Sequence, residues 1–165
     1  MQLRERQFDG RFGQWESRPT PSAGGTHAIQ LLILPLDPGA SARVYDNDRH
    51  ALGTCKGDGP GALALNRSSI STITAATSGT TVQLFADPTR LAACYENHET
   101  LLWRDAGALL ATICFAATAF GLTSVALGRQ GTSIVRTFGL PEPIKGVGGV
   151  HLGWTSRDAS LSGAG

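Results

Sequence analysis

Pro21, Ser22, Ala23, Gly24 and Gly25 form the segment best suited to bring a ligand close to the backbone. Glycine permits close approach and dihedrals that other residues avoid. Backbone amides and the Ser22 hydroxyl supply hydrogen bonds there, Arg18 lies just upstream, and His27 follows at the junction with an apolar run. A plain Pro/Gly-rich turn before a strand has the same pattern. Tyr95 carries a second candidate hydroxyl, with Cys94 before it. His98 lies near Glu96 and Glu99, where a metal cluster and a solvated loop are both open readings. His50 falls on a hairpin and His151 within a final strand. No Ser-His-Asp order with its elbow, no phosphate loop and no dinucleotide fingerprint occurs. Cys55, Cys94 and Cys114 are odd in number and lack paired spacing, so neither a disulfide framework nor a zinc site is expected.

These residues need elements to position them. His27 to Leu34 reads as a buried strand closed by Asp37-Pro38-Gly39. Residues 43–52 read as a hairpin with Asp46-Asn47-Asp48 at its tip. Residues 53–61 read as a Gly-rich loop, and the Ser/Thr-rich residues 62–80 have no clear assignment. Thr81 to Ala86 reads as a central strand, and Asp87-Pro88 starts a short helix ending near Tyr95. A second helix runs from about Leu101 to Phe120, apolar nearly all round and so expected to be buried on most sides. Gly121 ends it, Thr123 to Leu127 follows as a strand, 132–139 as a brief helix and Val147 to Trp154 as the last strand. Residues 1–17 read as an arm or irregular lead-in, 18–156 as one domain and 157–165 as a flexible tail. The fold class expected is α+β, with a mixed, mainly antiparallel sheet and helices packed around a long buried helix.

Several segments in order resemble the nitroreductase-like FMN oxidoreductases, and within them the SagB-type dehydrogenases, which include thiazole and oxazole synthesis oxidases. Arg18-Pro19-Thr20-Pro21-Ser22-Ala23-Gly24-Gly25-Thr26-His27 is similar to their Pro-Ser-Ala-Gly-Gly segment. Val44 to Leu52 resembles their Tyr/His hairpin, Asp105-Ala106-Gly107 their helix opening, and Ala116-Ala117 with Phe120-Gly121-Leu122 its ending. The resemblance spans about residues 18–154 and implies a nitroreductase-like fold. It implies bound FMN, with Arg18, Pro21, Ser22, Ala23, Gly24, Gly25, Gly128 and Arg129 as cofactor-binding candidates and Tyr95 and His27 as catalytic candidates. Hydride transfer at a flavin held at a homodimer interface follows, with NAD(P)H as a candidate reductant and a small molecule or peptide as substrate. The family's upstream Arg-rich phosphate segment has no counterpart in Arg4, Arg6 and Arg11, leaving Arg129 and Arg157 as candidates for that role. Cys94 stands where the azoline-oxidising branch has lysine, and a thiol cannot supply that cation. A non-catalytic partner subunit with the same fold is therefore the alternative.

A formal charge of +1 with no basic cluster gives no footprint for nucleic acid or anionic membrane. Ala106 to Leu127 is uncharged and long enough to span a bilayer, but its many Ala, Gly, Ser and Thr residues favour a buried helix. No membrane contact is expected. Together with the polar N-terminus, these features point to a cytoplasmic protein, and the resemblance points to natural-product biosynthesis.

Overall fold

A computed structural model of the protein describes residues 5–9 and 13–154. Its centre is the pair β3 (Ile29–Pro35) and β6 (Thr80–Ala86), antiparallel from Ile29↔Ala86 to Pro35↔Thr80. Both strands are apolar on two faces, as a strand covered on both sides must be. Leu31 and Ile33 meet one core cluster with Val82, Leu84 and Ala86, whereas Leu32, Leu34 and Phe85 meet another. The remaining strands are β4 (Arg43–Asp46), β5 (Ala51–Thr54), β7 (Leu122–Leu127) and β8 (Lys145–Trp154). They complete a six-stranded sheet of order β5-β4-β3-β6-β8-β7. Every pairing in it is antiparallel. This is the expected α+β architecture, without the parallel element a mixed sheet would have.

The helices are α1 (Gly59–Ile73), α2 (Thr89–Ala92), α3 (His98–Ala119) and α4 (Thr132–Arg136). Helix α3 covers one sheet face through Leu102, Ala106 and Leu109, a stripe at helical spacing. Helices α1 and α4 cover the other face through Ala62, Leu63, Ile134 and Val135. By length and composition α3 could cross a membrane, yet its stripe packs in this core. It is not buried on most sides, however. Its outer, C-terminal surface leaves Phe115 76% and Phe120, just beyond it, 79% exposed.

Two further expectations are corrected. Residues 59–73 are helical, not loop and unassigned sequence. Asp58 accepts from the Gly61 amide and Pro60 occupies the first turn, so a Gly-Pro-Gly stretch begins the helix. Residues 5–9 and 13–17 are strands rather than an irregular lead-in: β1 (Glu5–Asp9) and β2 (Gly13–Ser17) pair antiparallel as a separate sheet. The tail 157–165 expected from the sequence, and Arg157 with it, lies outside the described residues.

Candidate functional site

The turn Pro21–Gly25 is fastened to α3 by one carboxylate. Asp105 Oδ2 accepts from the Ser22 hydroxyl at 2.8 Å, and both its oxygens accept from the Ala23 amide, at 3.0 and 3.1 Å. The Ser22 hydroxyl in turn accepts from the His27 amide at 3.0 Å. The Gly25 amide donates to Ser22 O and the Thr26 amide to Ala23 O. Ser22, Ala23, Gly25 and His27 thus spend these donors within the protein. The Gly24 amide has no acceptor among the described residues.

Gly24 is left-handed, with φ +55°, and its Cα faces Tyr95. A Cβ there would lie 2.2 Å from the Tyr95 hydroxyl oxygen, so the close approach that the glycine allows is to a phenol of this same chain. The chain thereby brings Gly24 and Tyr95, seventy-one positions apart, into one place. Tyr95 is half-buried against the α3 core. It also lines an open cleft of about 360 Å³ with Cys94, Glu96, Thr100 and Arg104. Cys94 and Tyr95, singled out together in the sequence, share this cleft.

His27 is placed differently. It is a left-handed non-glycine residue, φ +44°, and only 9% exposed. It lines a crevice of about 10 Å³ with Pro21, Ser22, Asp105 and Leu109. That space holds about one water, so a ring must approach the turn from its outer side.

The Arg18 side chain is 2% exposed and reaches Asp48 of the β4–β5 turn at 3.8 Å. There Tyr45 Oη and His50 Nδ1 are 2.7 Å apart. Burial raises the Tyr45 phenol above its ordinary pKa, and the Arg18 charge opposes this. Arg18 therefore braces the hairpin against the segment that leads into the turn.

Gly128 and Arg129 are not brought to the turn. Gly128 is exposed, with nothing near its Cα to crowd a side chain. Arg129 folds inward, donating to Gln83 Oε1 and Asn66 Oδ1, each at 2.7 Å. Gln83 and Asn66 are fully buried. Asn66 belongs to α1, so the guanidinium lies on the sheet face opposite α3 and the turn. Its Nε has no partner among the described residues, and burial lowers its pKa below the usual arginine value. The sequence-based expectation that Arg129 replaces the phosphate arginines meets a side chain already committed to the core.

The His98 loop assembles no metal site. Glu99 instead accepts from Lys145 at 3.0 Å, which holds its carboxyl below the usual value. Among the described residues no group of three or more potential ligands gathers. Sequence reading took Asp105 only as a helix opener and passed over Arg104. A signal was present: Asp105 stands beside Ala106 on the stripe of Leu102 and Leu109, where an acid requires a partner.

No protein-family model and no curated protein matches the sequence. Solved structures do. A protein from Anabaena variabilis assigned as a nitroreductase superposes with TM-score 0.74 at 18% identity, over 92% of this chain and 32% of that one. The Escherichia coli microcin synthetase McbBCD complex, with truncated pro-MccB17 bound, matches with TM-score 0.68 at 16% identity, over 86% and 57%. The NADPH:FMN oxidoreductase of Vibrio harveyi, solved with NAD+, matches with TM-score 0.56 at 12% identity, over 95% and 66%. The chain spans less than two thirds of the length of each. It has the nitroreductase fold, as its ordered segments implied.

Proposed function

We propose that this chain is an FMN-binding oxidoreductase domain of SagB type, with the polar edge of the flavin on the outer side of the turn Pro21–Gly25. The observation that carries this reading is the Asp105 clamp, which holds the turn with Gly24 left-handed against Tyr95, while the exposed Gly24 keeps an amide without an acceptor among the described residues. Fixed donors of this kind bind a flavin's polar edge and tune its chemistry. Ser22 and Ala23 act from behind, shaping the turn rather than touching the ring, and His27 closes the space beneath it. Tyr95 is the candidate proton donor, facing a cleft whose volume suits a small ligand. Arg104 is the cation in that cleft, and it takes the phosphate-binding role for which Arg129 was a candidate. Bound FMN supplies a reversible acceptor of hydride. NAD(P)H is the proposed reductant, and a small molecule or peptide the substrate. The FMN named for the Vibrio harveyi relative and the peptide in the microcin synthetase complex support this choice. A homodimer formed through the outer face of α3, a cytoplasmic location and a role in natural-product assembly complete the proposal.

Two observations favour a second reading, a non-catalytic partner subunit that keeps the fold without flavin. Arg129 is sequestered on the far side of the sheet, and Cys94 supplies no cation beside Tyr95. Visible absorption of the purified chain separates the two. The oxidoreductase reading expects oxidised-flavin bands and FMN released on denaturation. A colourless chain that takes up no added FMN overturns it in favour of the scaffold.

A further inference from the structure

A cavity of about 400 Å³ opens on the sheet face opposite α3. Its floor is Leu32, Phe85 and Phe138, all at most 9% exposed, and Leu140 and Ile144 form a wall. Ligand pockets span roughly 300–1,000 Å³ and are mostly apolar with a few polar groups. Cys55 stands at one end, where the cavity adjoins a second cleft of about 300 Å³ that shares Thr54 and Cys55.

Two cations lie near Cys55, and one carboxylate, Asp87, lines the same cavity. Lys56 lines the first space and Arg43 the second. Neither forms an ion pair among the described residues. Burial pushes the Cys55 thiol above its ordinary pKa, and the charge of the half-buried Arg43 opposes this only in part. The nearby acids keep their charge but hydrogen-bond to neutral groups and pair with neither cation. Asp87 Oδ1 accepts from the Thr89 amide and hydroxyl, at 3.0 and 2.6 Å, and Asp58 caps α1 through the Gly61 amide.

We infer that this cavity binds a compact aromatic anion, its ring over Leu32, Phe85 and Phe138 and its acid group beside Cys55 between Lys56 and Arg43. The occupant is aromatic because the floor is apolar and carries two phenyl rings, and anionic because two cations, without ion pairs among the described residues, flank Cys55 against a single lining carboxylate. This site is separate from the proposed flavin site, since the turn is fastened to α3 on the other face.

The test uses the full chain carrying Cys94→Ser and Cys114→Ser, so that Cys55 is the single thiol. The probes are 1-anilinonaphthalene-8-sulfonate and its uncharged counterpart N-phenyl-1-naphthylamine. The readout is the rate of Cys55 alkylation by iodoacetamide, followed by intact mass. The sulfonate is expected to slow alkylation several-fold at concentrations where the neutral probe does not. Lys56→Gln, on an exposed residue, and Lys56→Gln with Arg43→Gln should weaken that protection progressively, by about tenfold for the pair. No protection, equal protection by both probes, or protection unchanged in the double variant overturns the inference. The readout needs no flavin, so a chain that holds no FMN can still pass it, and one that holds FMN can still fail.

Discussion

Gly24 and Tyr95 meet at one contact, and that contact sets what the turn tolerates. Adding a methyl at Gly24 costs the left-handed conformation, about 1–2 kcal/mol. The methyl also lands 2.2 Å from the Tyr95 oxygen, so the ring must move. Gly24→Ala is therefore expected to lower unfolding free energy by about 2–3 kcal/mol in urea titration. Tyr95→Phe removes the colliding oxygen and leaves the nearest ring carbon at 3.2 Å. In the Tyr95→Phe background the same Gly24→Ala change should cost about 1 kcal/mol less. Costs that simply add would show that the hydroxyl is not seated on the turn. Arg129 is the converse case, a cation held by neutral amides alone. Gln83 Nε2 donates to Gln130 O and Gly148 O, at 2.8 and 2.7 Å, while Gln83 Oε1 accepts from the guanidinium. One buried amide thus ties β6 to β8 and to the loop after β7. A buried network of this kind is costly to break at any member.

At the scale of elements, β8 carries a proton-sensitive joint. His151 is 4% exposed, 3.1 Å from Thr81 Oγ1 on β6 and 3.2 Å from Ser78 O just before it. Burial lowers its pKa from the ordinary 6.5, and the Ser78 contact opposes this only in part. Above 6.5 the imidazole is neutral folded and unfolded, so its contribution to stability is complete. Below 6.5 the unfolded chain takes the proton more readily, and stability falls until the folded-state pKa is passed. Unfolding free energy should therefore decline between pH 7.5 and 5.5, and His151→Gln should flatten that slope. An equal slope in the variant would assign the pH dependence to other groups. This strand was legible in the sequence, as were β3, β6 and α3, because long apolar runs declare themselves whatever surrounds them. Helix α1 was not. Gly59, Pro60 and Gly61 mimic a loop, and Ser68, Ser71 and Thr72 are poor helix formers. What makes the segment helical is tertiary: Ala62, Leu63, Asn66 and Ile70 reach buried positions on the sheet, and the Ser71 and Thr72 hydroxyls return to Ser68 O. The site was legible in the same proportion. The turn showed itself by composition, but its clamp, Asp105, is distant in sequence and became visible only when α3 was packed against it.

Over the whole molecule, burial is uneven. The sheet is covered on both faces, yet apolar surface continues around the end of α3 and the β7 edge. Phe115 and Phe120 are 76% and 79% exposed, Val125 is 39% exposed and Trp154 73%. Strand β7 is one of the two edge strands, and its edge, unpaired among the described residues, lies on this same side. Large exposed apolar side chains near a sheet edge are an aggregation hazard unless covered. Association of two copies covers them without adding any charge to be buried, and stable dimer interfaces of this sort resemble a divided core. The homodimer proposed above is therefore expected to depend on these phenylalanines. Phe115→Glu with Phe120→Glu places two carboxylates in the contact and should shift the chain from dimer to monomer in light scattering coupled to size exclusion. Because both side chains are exposed in the single chain, the monomer's own unfolding free energy should change little, within about 0.5 kcal/mol. A variant that remains dimeric would place the interface elsewhere, and a wild-type chain that runs as a monomer would remove the homodimer from the proposal. If flavin is bound across the contact, the monomeric variant should lose FMN while keeping its fold. If flavin is held within one chain, the monomer should keep its colour.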